Sequence, residues 1–198
     1  MKSTIRNTFT AVAGAALMAI SGTASAAFIA TIEGNDCAGV FGQGFANCAI
    51  PEQYDPDRSP VIIKFAYLGD GVFEVDEEDG EAAINPLFPT IDGTEFSFVT
   101  SGDGETGEWV YEKNDLDDPD ITFFVAKGGD FFNLFDVFGS SGEWNTPLNP
   151  ANGQLFELSH LTFYDTGGGP PTEIPEPGML LLLGSALAAL GLRRRLRA

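Results

Sequence analysis

The sequence predicts an all-β domain, an antiparallel β-sandwich of jelly-roll type, on three observations. Apolar residues come in runs of five to seven with alternating side chains, the period of a strand. Glycine, aspartate, asparagine and proline separate those runs at regular intervals, as turns do. No window of 12 residues between 27 and 165 carries a sustained helical stripe. Strands this numerous and this evenly spaced fit a sandwich.

In chain order the expected strands are FIATIE (28–33), VIIKFAY (61–67), GVFEV (71–75), TEFSFVT (94–100) and EWVYE (108–112). ITFFVAK (121–127), FFNLF (131–135) and LSHLTFY (158–164) complete the set. Gly-Asp-Gly at 69–71 marks a hairpin turn, as do Gly102-Asp103-Gly104 and Gly128-Gly129-Asp130. Gly139-Ser140-Ser141-Gly142 also reads as a turn. Phenylalanine and branched residues are expected on one face, threonine, glutamate and lysine on the other. About 140 residues suit one domain, placed at 27–165. No internal repeat is evident.

Both ends of the chain differ in character from the middle. Lys2 and Arg6 precede a short apolar stretch, Phe9 to Ile20, and small residues reach Ala24-Ser25-Ala26. This is the pattern of a secretory signal peptide, 1–26, cleaved after Ala26. Residues 166–174 form a Gly/Pro linker, flexible at its glycines and stiffened by Pro170 and Pro171. Then come Pro175-Glu176-Pro177 and an uncharged run, Met179 to Leu192. As a helix that run is about 21 Å long at ~1.5 Å per residue. It is short for a membrane span, but the stems of Arg193, Arg194, Arg195 and Arg197 extend it by snorkelling. Those arginines act as a cytoplasmic stop and leave the domain outside. The prolines start the helix beyond themselves, so the triplet stands extended and open to a processing enzyme.

The proline-glutamate-proline triplet, the leucine-rich run with Gly184 and Gly191, and the terminal arginines resemble the PEP-CTERM sorting signal of Gram-negative bacteria. The resemblance covers 175–198. It implies recognition of Pro175, Glu176 and Pro177 by an exosortase and a transmembrane segment at 179–192. It also implies passage through the inner membrane to the cell surface or matrix, in association with extracellular polysaccharide and biofilm. FFVAKGGDFFNLF, Trp144 and LSHLTFY are similar to the C-terminal half of many small exported proteins bearing that signal. That likeness implies a shared sandwich core and brings no activity with it.

Without the two ends, Arg58, Lys64, Lys113 and Lys127 are the only bases against 27 acids, a formal charge near −23. Such a surface repels nucleic acid and anionic lipid, and it either solvates the domain or attracts divalent cations. Cys37 and Cys48 are the only cysteines, and export favours a disulfide between them. In the chain-entropy view a loop of this size stabilises the fold by roughly 3 kcal/mol.

Calcium is the candidate cation, and no other cofactor is expected. Asp115, Asp117, Asp118 and Asp120 lie in NDLDDPD between two strands, and DEEDGE (76–81) is a second acidic cluster. Neither has the spacing of an EF-hand loop, and a solvated acidic turn is the more ordinary reading of both. The alternation of LSHLTFY puts Leu161 and Phe163 on one face and His160, Thr162 and Tyr164 on the other. His160 and Trp144 are therefore candidates for a ligand groove, against the alternative of a cross-strand hydrogen bond for the histidine. Trp109, Tyr111 and Trp144, if exposed, would stack on sugar rings, although aromatics in a sandwich more often belong to the core.

No catalytic constellation is legible. His160 is the sole histidine, and no Gly-x-Ser-x-Gly elbow precedes a helix. Paired histidines and Cys-x-x-Cys spacing are absent, which leaves no zinc signature. Two functions compete. One is a non-enzymatic surface or matrix protein sorted through its tail. The alternative is a polysaccharide-processing enzyme that uses paired carboxylates.

Overall fold

The structure, a computed structural model, describes residues 25–166 with the exception of Asp79 and Gly102. Its strands are β1 (Ser25–Glu33), β2 (Val61–Tyr67), β3 (Phe73–Val75), β4 (Glu77–Glu78), β5 (Glu81–Ala82) and β6 (Phe96–Ser101). They continue with β7 (Thr106–Tyr111), β8 (Ile121–Gly128), β9 (Phe131–Phe138), β10 (Ser141–Asn145) and β11 (His160–Asp165). Among the described residues the helical content is one 3-10 turn, Phe45–Asn47. Every strand pairing is antiparallel.

The hairpins form where the glycine-aspartate signals predict them. Leu68 and Val72 close the β2–β3 turn through Leu68 N–H to Val72 O at 3.0 Å. Between them Gly69, Asp70 and Gly71 all have positive φ (91°, 50° and 79°). Glycine and aspartate tolerate that region, which is why this triplet can turn the chain so tightly. Gly128 pairs with Phe131 across the β8–β9 turn, and Gly129 takes φ 55° inside it.

Six strands form one sheet in the order β1-β9-β8-β11-β2-β3, and three form a second in the order β10-β7-β6. β4 and β5 are a separate two-stranded ribbon. The sandwich expectation holds in this form. The jelly-roll expectation does not describe the division, because a jelly roll has eight strands in two Greek keys and this chain divides six and three.

Two further corrections concern strands. Gly139 and Ser140 turn the chain as expected, but Ser141 and Gly142 already belong to β10, pairing with Val110 and Trp109. DEEDGE holds the β4–β5 ribbon, two short strands that were not expected, with Glu77 opposite Ala82. Asp76 beside it meets Lys64 Nζ at 2.8 Å.

The last described strand holds the centre. β11 pairs with β8 on one side and β2 on the other, so a segment late in the chain fills the middle of a sheet built earlier. All six of its residues are buried. Leu161 and Phe163 face the core between the sheets. There the Phe163 ring lies 4.6 Å from Phe96, 5.1 Å from Trp109 and 5.9 Å from Phe124. Ring pairs of this kind add about 0.5–1.5 kcal/mol each beyond burial.

The opposite face was expected to carry threonine, glutamate and lysine. It instead carries a second apolar cluster, including Val125, Phe132, Leu134 and Tyr164. Residues 34–60 cover it, supplying Phe41, Phe45, Ile50 and both cysteines.

β1 begins at Ser25, so two residues assigned to the end of the leader pair in the sheet, Ser25 with Phe138 and Ala26 with Val137. Residues 1–24 of the predicted leader, the linker from 167, the sorting triplet, the 179–192 span and the four arginines lie outside the described residues. Among the described residues no helix is long and apolar enough to cross a membrane.

Candidate functional site

The densest polar arrangement in the domain sits under the covering segment. Asp36 leaves the end of β1 and turns its carboxylate onto the outer face of β11, where it is 2 % exposed. The period of two on β11 brings three side chains to that face together. Thr162 Oγ1 donates to Asp36 Oδ2 at 2.6 Å, and the Tyr164 hydroxyl donates to the same oxygen at 3.4 Å. His160 Nε2 lies 3.2 Å from Asp36 Oδ1. Its Nδ1 lies 3.3 Å from Ser159 Oγ. With a proton on Nε2 the ring donates to the carboxylate, and the serine hydroxyl can pair with Nδ1 as donor or acceptor.

Burial pushes the Asp36 carboxyl up. The His160 charge and the hydrogen bonds from His160, Thr162 and the Cys37 backbone outweigh that and hold it well below the usual carboxylate range. Burial and the Asp36 charge push the Tyr164 phenol well above its ordinary value, so it remains a donor. Lys127 pairs across the strands with His160 and gives its ammonium to the Gly129 carbonyl. Burial lowers its affinity for a proton, while the Asp36 and Asp130 charges work the other way.

The predicted Cys37–Cys48 disulfide is formed. Both sulfurs lie against the Tyr164 hydroxyl, at 3.7 and 3.6 Å. Crosslink and carboxylate cluster are therefore one unit.

Ser159, His160 and Asp36 are linked in the order of a nucleophile, a base and an acid. The ring is turned the other way, however, with Nδ1 toward the serine and Nε2 toward the carboxylate, the reverse of the Ser-His-Asp template. The Ser159 N–H already donates to the Lys127 carbonyl at 2.8 Å, so it is not free to stabilise an oxyanion. What this geometry does is fasten residues 34–60 to the centre of the sheet.

The other predicted site residues are dispersed. His160 faces the covering segment, whereas Trp144 is packed between the sheets at 3 % exposure and donates its Nε1–H to Gly104 O at 3.1 Å. The two do not share a groove. Trp109 and Tyr111 are also buried, because β7 turns both rings into the core. None of the three is an exposed platform for a sugar. Phe28, at 56 % exposure, is an exposed ring that no local pattern singles out.

The acidic loop between β7 and β8 is open at its tip, but its four aspartates do not converge. Asp118 is buried, and its Oδ2 accepts the N–H groups of Asn114 and Asp115 at 2.8 and 2.9 Å. Burial raises its pKa, and the hydrogen bonds from the Asp115 and Asn114 N–H groups, with the nearby Lys113 charge, help offset this for a net lowering. Asp120 pairs with Lys113 at 2.8 Å, and Asp115 Oδ1 accepts the Asp117 N–H at 3.0 Å. Among the described residues no group of three or more His, Cys, Asp or Glu is placed to hold a metal ion.

A shallow groove of about 550 Å³ opens where β1 meets the three-stranded sheet, lined by Phe28, Val99, Glu108, Phe135, Glu143 and Trp144 among others. Glu108 and Glu143 stand directly opposite each other on β7 and β10. Sequence reasoning passed over this pair because β10 was not recognised as a strand. It passed over Asp36 because the partners of that residue lie 124 to 128 residues away. Its position beside Cys37 was the one local hint.

Residues 173–195 match the family model of the PEP-CTERM protein-sorting motif. No curated protein and no solved structure matches the chain. The chain thus carries a C-terminal PEP-CTERM motif behind an all-β, disulfide-bonded domain. Such a motif implies an exported protein, sorted in a Gram-negative cell with an exosortase as its processing partner.

Proposed function

We propose that the protein is a non-enzymatic surface or matrix module, delivered by an exosortase through its tail and associated with extracellular polysaccharide. The observation that carries this reading is the sorting motif at 173–195. The form of the domain supports it. Its functional-looking histidine and carboxylate hold the fold together, and its disulfide suits an oxidising destination. A formal charge near −23 keeps such a domain soluble and away from nucleic acid.

The test is retention of the secreted protein on immobilised exopolysaccharide from an exosortase-bearing host, with the reaction mixture followed for released sugar. Retention without product is the expected result, and loss of retention would remove the polysaccharide partner. A second reading, glycoside cleavage by paired carboxylates, is favoured by one observation, the facing Glu108 and Glu143 beside the groove. Sugar release abolished by Glu108→Gln or Glu143→Gln would establish it instead.

A further inference from the structure

Residues 34–60 cover the apolar cluster on one face of the six-stranded sheet, over β8, β9 and β11, without becoming a strand of it. Their backbone bonds are largely internal: Val40 N to Asn35 O, Phe41 N to Asp36 O, Gly44 N to Cys37 O and Ala49 N to Phe41 O. At the ends Gly34 N donates to Asp130 O and Val61 N to Cys48 O. Between those ends, side chains do the fastening. Phe41 packs edge-on against Phe132 at 5.1 Å and Tyr164 at 6.1 Å, and Asp36 locks onto β11. Cys37 directly follows Asp36, and Cys48 supplies the carbonyl bonded to β2. The disulfide therefore ties the half of the segment that holds β11 to the half that holds β2.

The two cores are separate clusters. Trp109 and Trp144 belong to the one between the sheets, and both cysteines to the one under the segment. We infer that residues 34–60 form a redox-gated strap, sealed over the sheet when Cys37 and Cys48 are oxidised and open when they are reduced, with the core between the sheets formed in both states. Sealing is a thiol–disulfide exchange. The two thiols lose two protons and two electrons as the S–S bond forms, and the disulfide of an exchanging oxidoreductase is reduced to its dithiol. The inference uses the reading that the protein is exported. The crosslink that seals the strap forms once the chain stands in an oxidising compartment.

The experiment compares the oxidised protein with the Cys37→Ala/Cys48→Ala double variant and with wild type reduced in mild denaturant and returned to buffer. Limited proteolysis reports cleavage within 38–58, and tryptophan emission reports the inter-sheet core alone. The expected result is cleavage at least tenfold faster in both reduced-state mimics, with unchanged tryptophan emission and with protection regained on reoxidation. Equal protection in all forms would overturn the inference, since the strap would then close without the crosslink. Solvent-like tryptophan emission in both mimics would also overturn it, because the crosslink would then support the whole fold. A charge-removing control, Glu52→Gln on the exposed part of the segment with the disulfide intact, should cleave like the oxidised wild type.

Discussion

Thr162 donates its hydroxyl hydrogen to Asp36 at 2.6 Å across a separation of 126 residues, so the start of the covering segment is fastened to the middle of the last described strand. The bond matters because the carboxylate is buried and charged, and a buried charge is stable only when paired and hydrogen-bonded. Replacing Asp36 by alanine removes the acceptor from Thr162, His160 and Tyr164 at once. Asp36→Ala should lower unfolding stability at pH 7 by about 3 kcal/mol, the usual cost of breaking a buried polar pair. Urea unfolding followed by tryptophan emission measures it, and a loss within error of zero would deny the cluster its fastening role.

The same carboxylate sets a pH dependence. Its pKa is lower in the folded than in the unfolded chain, so its contribution is fully present above the unfolded value, about 3.9. That contribution is lost as pH falls toward the folded value. The stability gap between wild type and Asp36→Asn should therefore be wide at pH 6 and shrink below about pH 4. A gap that widens in acid would reverse the assignment.

Asp165 is the opposite case. Burial, together with the Asp120 charge, raises its pKa, and the Thr166 hydrogen bonds and Lys113 only partly offset that. A carboxyl with a raised folded value is best tolerated when protonated, so its cost appears as pH rises through that value. Asp165→Asn should raise the urea midpoint at pH 7, with the advantage vanishing near pH 3. Thermal or chemical melts at the two pH values decide it, and destabilisation at pH 7 would contradict the account.

Gly107 and Trp144 are cross-strand partners on β7 and β10, and the indole lies where a side chain would otherwise stand. A Cβ on Gly107 would fall 2.3 Å from Trp144 Cζ2 and 2.5 Å from the Val99 carbonyl oxygen. Because one of those atoms is backbone, the strain cannot be relieved by a rotamer change. Gly107→Ala should cost about 1–3 kcal/mol and red-shift the tryptophan emission. An unchanged melt would show that this part of the sheet is looser than its packing implies.

Local patterns made much of the scaffold legible, and long-range partners made the rest invisible. VIIKFAY is β2 over the same residues, 61–67, because alternation and a Gly-Asp-Gly turn bound it on one side. β10 was hidden by a Gly-Ser-Ser-Gly sequence that turns only in its first half. In LSHLTFY the two faces were assigned correctly, but both are buried, since alternation cannot reveal that residues 34–60 fold over the polar side. Whether Trp109, Tyr111 and Trp144 face sugars or the core was open for the same reason: composition does not say which rings a second sheet will cover. The cysteine pair was legible because only one pairing exists. The Asp36 cluster was not, because nothing near Asp36 in sequence names its partners on β11.

The central claim is that the C-terminal motif delivers this domain and is then processed. In an exosortase-bearing host, mass spectrometry of surface-exposed protein should find chains lacking Met179 to Ala198. Glu176→Ala, which breaks the recognition triplet, should accumulate the longer form in the inner membrane. Surface-exposed wild-type protein that retains Met179 to Ala198 would contradict the account.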